Sequence, residues 1–277
     1  MRNVETKGNA GGYEVKNILE ELCALRRRDA EIRESAVPFA EMMKNAESAR
    51  KPHDFISAFR RERTSQDTKI NIIAELKKAS PSEGVIREGF HPVELAGELE
   101  SAGAAALSVL CEPHRFLGSE DYLAAVRKIS SLPLLYKDFI TTPYQIAAAR
   151  AAGADAVLLI AAVLDDKALV ELLEFTHSLG IKALVETHDK DEISKAIGCG
   201  AQIIGVNCRD LRNFSTDVSL LEKLLGDIPA ECIRIAESGM HTREAVRCAK
   251  NAGADGFLVG TALMRAPSPG EKLSTLI

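Results

Sequence analysis

The stretch AAGADAVLLI (151–160) closes one regular element and opens another. Its alanines continue a helix-like segment, and Gly153 supplies the left-handed residue that ends a helix. Five apolar residues then follow without alternation, as a strand covered on both faces requires. The same arrangement recurs at Gly103-Ala104 before ALSVL, Gly200-Ala201 before IIGV and Gly253-Ala254 before FLVG, with the glycines 50, 47 and 53 residues apart. Between these runs lie four more of the same character: NIIAEL (71–76), PLLYK (133–137), KALVET (182–187) and CIRIAES (232–238).

Amphipathic segments fill the gaps, at 92–101, 122–129, 144–151, 167–179, 190–197, 218–225 and 242–250. Strand alternating with helix predicts a parallel sheet with right-handed crossovers. Eight such units, repeating in pairs, favour an α/β fold closed as a (β/α)₈ TIM barrel over an open doubly wound sheet. The length of 277 residues suits one such domain over 13–277. Within it, 13–69 is an N-terminal helical extension, with helices expected at 15–35, 38–46 and 54–61. It is long enough to cover one end of the barrel. Residues 1–12 (MRNVETKGNAGG) are polar and Gly-rich, and read as a disordered leader. The run Arg26 to Arg28 reads as a solvated helix face.

Composition narrows the function. With 35 Lys and Arg against 40 Asp and Glu, the net charge of −5 argues against a general nucleic-acid or membrane-surface binder. No apolar stretch approaches the ~20 residues of a membrane span, and the N-terminus has no signal-peptide core. The six cysteines show no CxxC pairing, and most lie in or beside apolar runs. They read as small buried or half-buried residues in a reducing, cytoplasmic compartment. The six histidines form no HxH or HExxH pattern, so no metal is expected.

In this fold the chemistry sits at the C-terminal ends of the strands. Glu75, Lys137 and Glu186 each close an apolar run, on strands one, three and five. Because barrel interiors are layered by alternate strands, these three can share one layer. Lys77, two residues beyond Glu75, points to the same side, whereas Lys78 points away. A charged group facing the lumen must be paired or functional; simple rim salt bridges are the alternative. After strands seven and eight, Gly239 and Gly260-Thr261 offer backbone N–H groups and a hydroxyl at a helix start, where these barrels commonly hold phosphate. Tight-turn glycine is the plainer reading of the same residues. The residues alone therefore imply a small phosphorylated substrate and acid–base chemistry by Lys and Glu.

These strand ends resemble the indole-3-glycerol-phosphate synthase family. The matching pieces are IIAELKKASPSEG (72–84), SVLCEPHRFLGS (108–119), KDFI (137–140) with Tyr144-Gln145, GADAVLLI (153–160), LVET (184–187), IIGVNCRDL (203–211), AESG (236–239) and VGTALMR (259–265). The resemblance runs in order over about 13–270. It implies closure of the indole ring, with loss of CO₂ and water, from 1-(2-carboxyphenylamino)-1-deoxyribulose 5-phosphate. It makes Lys137 the general acid at the ketone oxygen and Lys77 the partner of the substrate carboxylate. Glu186 becomes the acid–base group of dehydration, and Glu75 positions the lysines and the substrate hydroxyls. Asn207 and Arg209 orient Glu186 and the substrate, and Ser238 hydrogen-bonds near the reacting centre. Ser80, Gly239, Gly260 and Thr261 hold the phosphate, Phe116 and Phe139 pack on the aromatic ring, and the N-terminal helices close the mouth. No cofactor is expected, since the cyclised iminium is itself an electron sink. Other enzymes of tryptophan synthesis are conceivable partners. Three positions depart from the pattern: Cys111, Cys208, and Arg115 where an aromatic is frequent.

Rival readings remain at this point. A phosphoribosylanthranilate-isomerase-like barrel would want a Cys and Asp pair where strand one offers Glu75 and Lys77. A Schiff-base aldolase would use Lys137 as nucleophile. A non-catalytic phosphosugar sensor would need the glycines but not the four charged groups.

Overall fold

The computed structural model describes residues 11–60, 69–209 and 219–277. Eight parallel strands close into a barrel: β1 Ile72–Leu76, β2 Ala106–Leu110, β3 Leu134–Lys137, β4 Ala156–Ile160, β5 Lys182–Thr187, β6 Ile203–Asn207, β7 Ile233–Glu237 and β8 Gly256–Val259. β8 returns to β1 through the pairs Ile72↔Phe257 and Ala74↔Val259. The predicted strands agree with these to within a residue or so. The four Gly-Ala glycines all adopt positive φ, from +85° to +105°, as the helix-ending role demands.

Two helices precede the barrel, α1 Gly11–Ala36 and α2 Phe39–Ser48. Then follow α3 Pro92–Ser101, α4 Glu120–Arg127, α5 Pro143–Ala151, α6 Asp166–Ser178, α7 Lys190–Gly198, α8 Ser219–Gly226, α9 Arg243–Asn251, α10 Thr261–Met264 and α11 Pro269–Leu276. Side-chain caps fix several starts: Ser119, Asp165, Asp189, Thr242 and Ser268 each accept from a backbone N–H of the first turn. Among the described residues, no helix is long and apolar enough to cross a membrane.

The extension departs from expectation in three ways. The leader's first ten residues lie outside the described residues, and α1 already begins at Gly11. The helix expected at 54–61 is only a short 3₁₀ turn, Ile56–Ala58. Its flanking residues Phe55 and Phe59 keep right-handed helical backbone angles without lengthening the turn. Wholly buried and 5.2 Å apart, they plug the N-terminal end of the barrel. Gly256, at the start of β8, makes room for Phe59: a Cβ there would fall 2.6 Å from its ring. Third, the arginine run is not a uniformly solvated face. Arg27 and Arg28 are exposed, but Arg26 turns inward and binds Asp138.

Strand pleating sorts side chains between two cores. Ile73, Ala106, Leu135, Ala156, Leu158, Leu184, Ile203, Ile235 and Leu258 fill the lumen above the two phenylalanines. The opposite faces, including Ile72, Leu107, Tyr136, Val157, Val185 and Phe257, pack under the helices. Among the described residues these side chains fill the lower lumen, and the cavity lined by the strand-end charged residues lies at the C-terminal mouth.

Candidate active site

Continuing the lumen parity upward places Glu75, Lys137, Glu186 and Glu237 in one layer, from β1, β3, β5 and β7. The Lys137 ammonium stands among the carboxylates, 2.9 Å from Glu237 Oε2, 3.5 Å from Glu186 Oε2 and 3.7 Å from Glu75 Oε2. The Lys77 Nζ lies 2.7 Å from Glu75 Oε1. Three carboxylates and two ammoniums thus share a site whose side chains are at most 15% exposed.

Burial opposes the charge on Lys137, yet Glu237, Glu186 and Glu75 outweigh it and raise its pKa above the usual lysine range. Burial likewise opposes ionisation of Glu186, but Lys137, His188 and Asn207 hold it below the usual carboxylate range. Glu75 is also lowered, with Lys77 and Lys137 prevailing over burial. Glu237 goes the other way. Burial, with Glu186 and Glu75 beside it, outweighs Lys137 and pushes it up to about 7. Its Oε1 has no hydrogen-bond partner. Glu237 is thus the carboxyl in the layer most ready to carry a proton near neutral pH.

A polar chain runs from this layer across β6 and β7. Asn207 Nδ2 donates to Glu186 Oε1 at 3.2 Å, and its Oδ1 accepts from Ser238 Oγ at 2.8 Å and Arg209 N at 3.1 Å. Ser238 takes φ +65°, unusual for a side-chain-bearing residue, and so turns the chain from β7 into Gly239, itself at φ +75°.

Gly239, Gly260, Thr261 and Ser80 line the same cavity from the other side, with Ser80 in a short hairpin formed by Ala79–Ser80 and Gly84–Val85. Gly260 packs so close to Glu75 that a Cβ would meet its Oε1 at 2.3 Å. The rings of Phe116 and Phe139 are 6.0 Å apart on the wall. Buried Glu112 accepts from the backbone N–H groups of His114, Arg115 and Phe116 at 2.6–2.8 Å, which fixes the loop that carries Phe116.

All thirteen residues singled out in the sequence line this one cavity. Sequence reasoning missed Glu237 as a site residue. It was visible as the last residue of the fourth odd strand, with the same parity as Ile233 and Ile235, but was quoted only within the run CIRIAES and the matching piece AESG. It also missed how α1 is attached. Ile18, Leu19 and Leu22 of α1 form part of the cavity wall. Arg26 grips the wholly buried Asp138, next to Lys137, at 2.6–3.0 Å. Arg115 reaches Glu21 of α1 at 2.8 Å. Cys111, Cys208 and Cys232 are buried and Cys23 and Cys199 half-buried as expected, whereas Cys248 is exposed.

The chain is similar to known proteins over most of its length. The family model described as indole-3-glycerol phosphate synthase matches residues 19–276. The indole-3-glycerol phosphate synthase of Carboxydothermus hydrogenoformans is 45% identical over 263 residues, 94% of this chain and 99% of that protein. Its counterpart in Delftia acidovorans is 41% identical, covering 95% and 99%. Among solved structures, 3-hexulose-6-phosphate synthase from Salmonella typhimurium aligns with a TM-score of 0.61 at 15% identity, covering 75% of this chain and 96% of that one. The N-acetylmannosamine-6-phosphate 2-epimerase from Clostridium perfringens gives 0.56 at 18% identity, covering 69% and 86%. At such identities these two speak for the fold alone.

Proposed function

The chain belongs to the indole-3-glycerol phosphate synthase family, and on that premise we propose how its strand-end residues divide the work. The reaction is the decarboxylating, dehydrating ring closure of 1-(2-carboxyphenylamino)-1-deoxyribulose 5-phosphate to indole-3-glycerol phosphate, a carboxy-lyase step of tryptophan biosynthesis.

Lys137 is the general acid. Ring closure joins the carboxyl-bearing ring carbon to the ketone carbon, and the ketone oxygen must gain a proton as that bond forms. An ammonium held charged among three carboxylates can hydrogen-bond the oxygen and deliver that proton. The same surroundings argue against a Schiff-base aldolase, which needs a free amine. Lys77, anchored by Glu75, pairs with the substrate carboxylate until CO₂ leaves. Glu186, held by Asn207, exchanges the protons of dehydration, in which the former ketone oxygen departs as water. Glu237 belongs in the same proton-sharing group. Ser80, Gly239, Gly260 and Thr261 hold the phosphate, Arg209 and Ser238 steady the substrate, and Phe116 and Phe139 pack on its ring. Residues 13–277 act as one domain, with α1 as part of the cavity wall.

The observation that carries this reading is the Lys137 ammonium standing at the mouth among Glu75, Glu186 and Glu237. The test is indole emission from purified protein mixed with the carboxyphenylamino-deoxyribulose phosphate in EDTA. The chain has no Trp, so the background is low. A signal abolished by Lys137→Ala supports the assignment. A signal that the variant retains removes Lys137 from it.

A further inference from the structure

His188 follows β5 directly and shares the parity of Glu186, yet it does not line the cavity. Its Nε2 lies 3.4 Å from Glu186 Oε1, at ion-pair distance but without a hydrogen bond, and its Nδ1 lies 3.1 Å from Glu192 Oε2, within hydrogen-bond reach. The His188 backbone N–H also donates to that Glu192 oxygen at 2.8 Å. Glu192 is held in turn on the first turn of α7, where its own N–H is capped by Asp189. The His188 side chain is 15% exposed.

A neutral imidazole has one N–H and one lone pair, so it can serve only one of two carboxylates. An imidazolium donates to Glu192 through Nδ1 and turns a positive N–H edge, rather than a lone pair, toward Glu186 Oε1. We propose that His188 is a positioning residue held as the imidazolium between Glu192 and Glu186, and that it pins Glu186 Oε1 so that Oε2 alone is the oxygen that exchanges protons with substrate. The inference rests on the acid–base role given to Glu186 above. The two oxygens are already unequal: Oε1 receives Asn207 Nδ2 at 3.2 Å on the side of His188, while Oε2 faces Lys137 at 3.5 Å. The charged groups facing Glu186 are thus Lys137 from β3 and His188 after β5, with Glu75 and Glu237 sharing Lys137. Those facing His188 are Glu186 and Glu192. Burial opposes the charge on His188, but the two carboxylates prevail and raise it to about 10.

The test is the pH profile of kcat for His188→Gln. Loss of the cation removes one of the groups that hold Glu186 ionised. The acidic limb should therefore move up by about one pH unit or more, with kcat down about tenfold at the low-pH end and KM little changed. Glu192→Gln keeps the imidazole but removes its outer carboxylate. It should bring in an alkaline limb below pH ~10, as His188 loses its proton more easily. Glu186→Gln is the control for the underlying role. If that variant keeps its kcat, the role of Glu186 falls and this inference with it. If it loses kcat while His188→Gln, or Glu192→Gln where the former does not fold, leaves the profile unmoved, the inference about His188 alone is overturned.

Discussion

Asp155, just before β4, and Glu237, at the end of β7, are both buried carboxylates, and the fold serves them differently. Asp155 accepts from Arg50 at 2.8 Å, Arg127 at 2.9 Å, His53 N at 2.7 Å and Leu134 N at 2.8 Å. Both oxygens are satisfied, and the group ties α4, β3 and the extension together at the N-terminal end of the barrel. Glu237 shares one lysine with two other carboxylates and has an oxygen with no partner. A buried carboxylate left short of partners costs stability. The contrast separates a group placed for structure from one placed for proton transfer: saturation marks the first, competition for a shared cation the second.

The largest effect that would test the contrast is Lys137→Ala, which removes the shared cation. It should lower kcat by about 10²–10⁴-fold, as loss of a general acid does, while the protein stays folded by circular dichroism. Asp155→Ala should do the reverse. It leaves Arg127 buried without its carboxylate, so the urea midpoint should fall by the equivalent of about 3–5 kcal/mol, with kcat of the folded fraction intact. If Asp155→Ala instead lost activity while keeping stability, saturation would not be the mark of a structural carboxylate.

A subtler measure is the pH dependence of stability. Glu237 titrates higher folded (about 7) than unfolded (about 4.5), so between those values the folded state holds a proton that the unfolded state has lost. Its contribution to stability is present below pH 4.5 and is lost as pH rises through 7. Glu186 has the opposite sign: its contribution is present above pH 4.5 and is lost as pH falls through its depressed folded value. Glu237→Gln should flatten the decline between pH 4.5 and 7, read as urea midpoints at pH 5 and pH 8. An unchanged slope would mean that folding does not raise the Glu237 carboxyl above its unfolded value. The smallest effect belongs to Arg33→Ala. Its pair with Glu120 at 2.7 Å is 43% and 22% exposed, so its loss should cost less than about 1 kcal/mol. A larger loss would mean that the α1 attachment depends on its exposed ion pairs as well as on Arg26.

What the sequence disclosed was local. An apolar run, its ending residue and the two-residue parity of a strand lie within a few positions of each other, and they placed Glu75, Lys77, Lys137 and Glu186 correctly. What it concealed was distant. Arg26 was read as solvated because its partner Asp138 is 112 residues away. Glu237 was passed over because its partner Lys137 is 100 residues away. The helix expected at 54–61 gave way to a 3₁₀ turn because two of its aromatic residues are claimed by the barrel floor. Helical periodicity around Phe55 and Phe59 could not reveal that demand.

Two glycines carry a further consequence. A methyl group at Gly205 would sit 2.1 Å from Glu237 Oε1, and one at Gly260 would sit 2.3 Å from Glu75 Oε1. In both places the nearest obstacle is a buried carboxylate oxygen, so alanine would have to push aside a member of the charged layer. Gly205→Ala or Gly260→Ala would then leave every charged residue of the motif in the sequence while displacing a carboxylate from the layer around Lys137. A screen that reads only the charged motif residues would pass both, whereas an activity assay would find them.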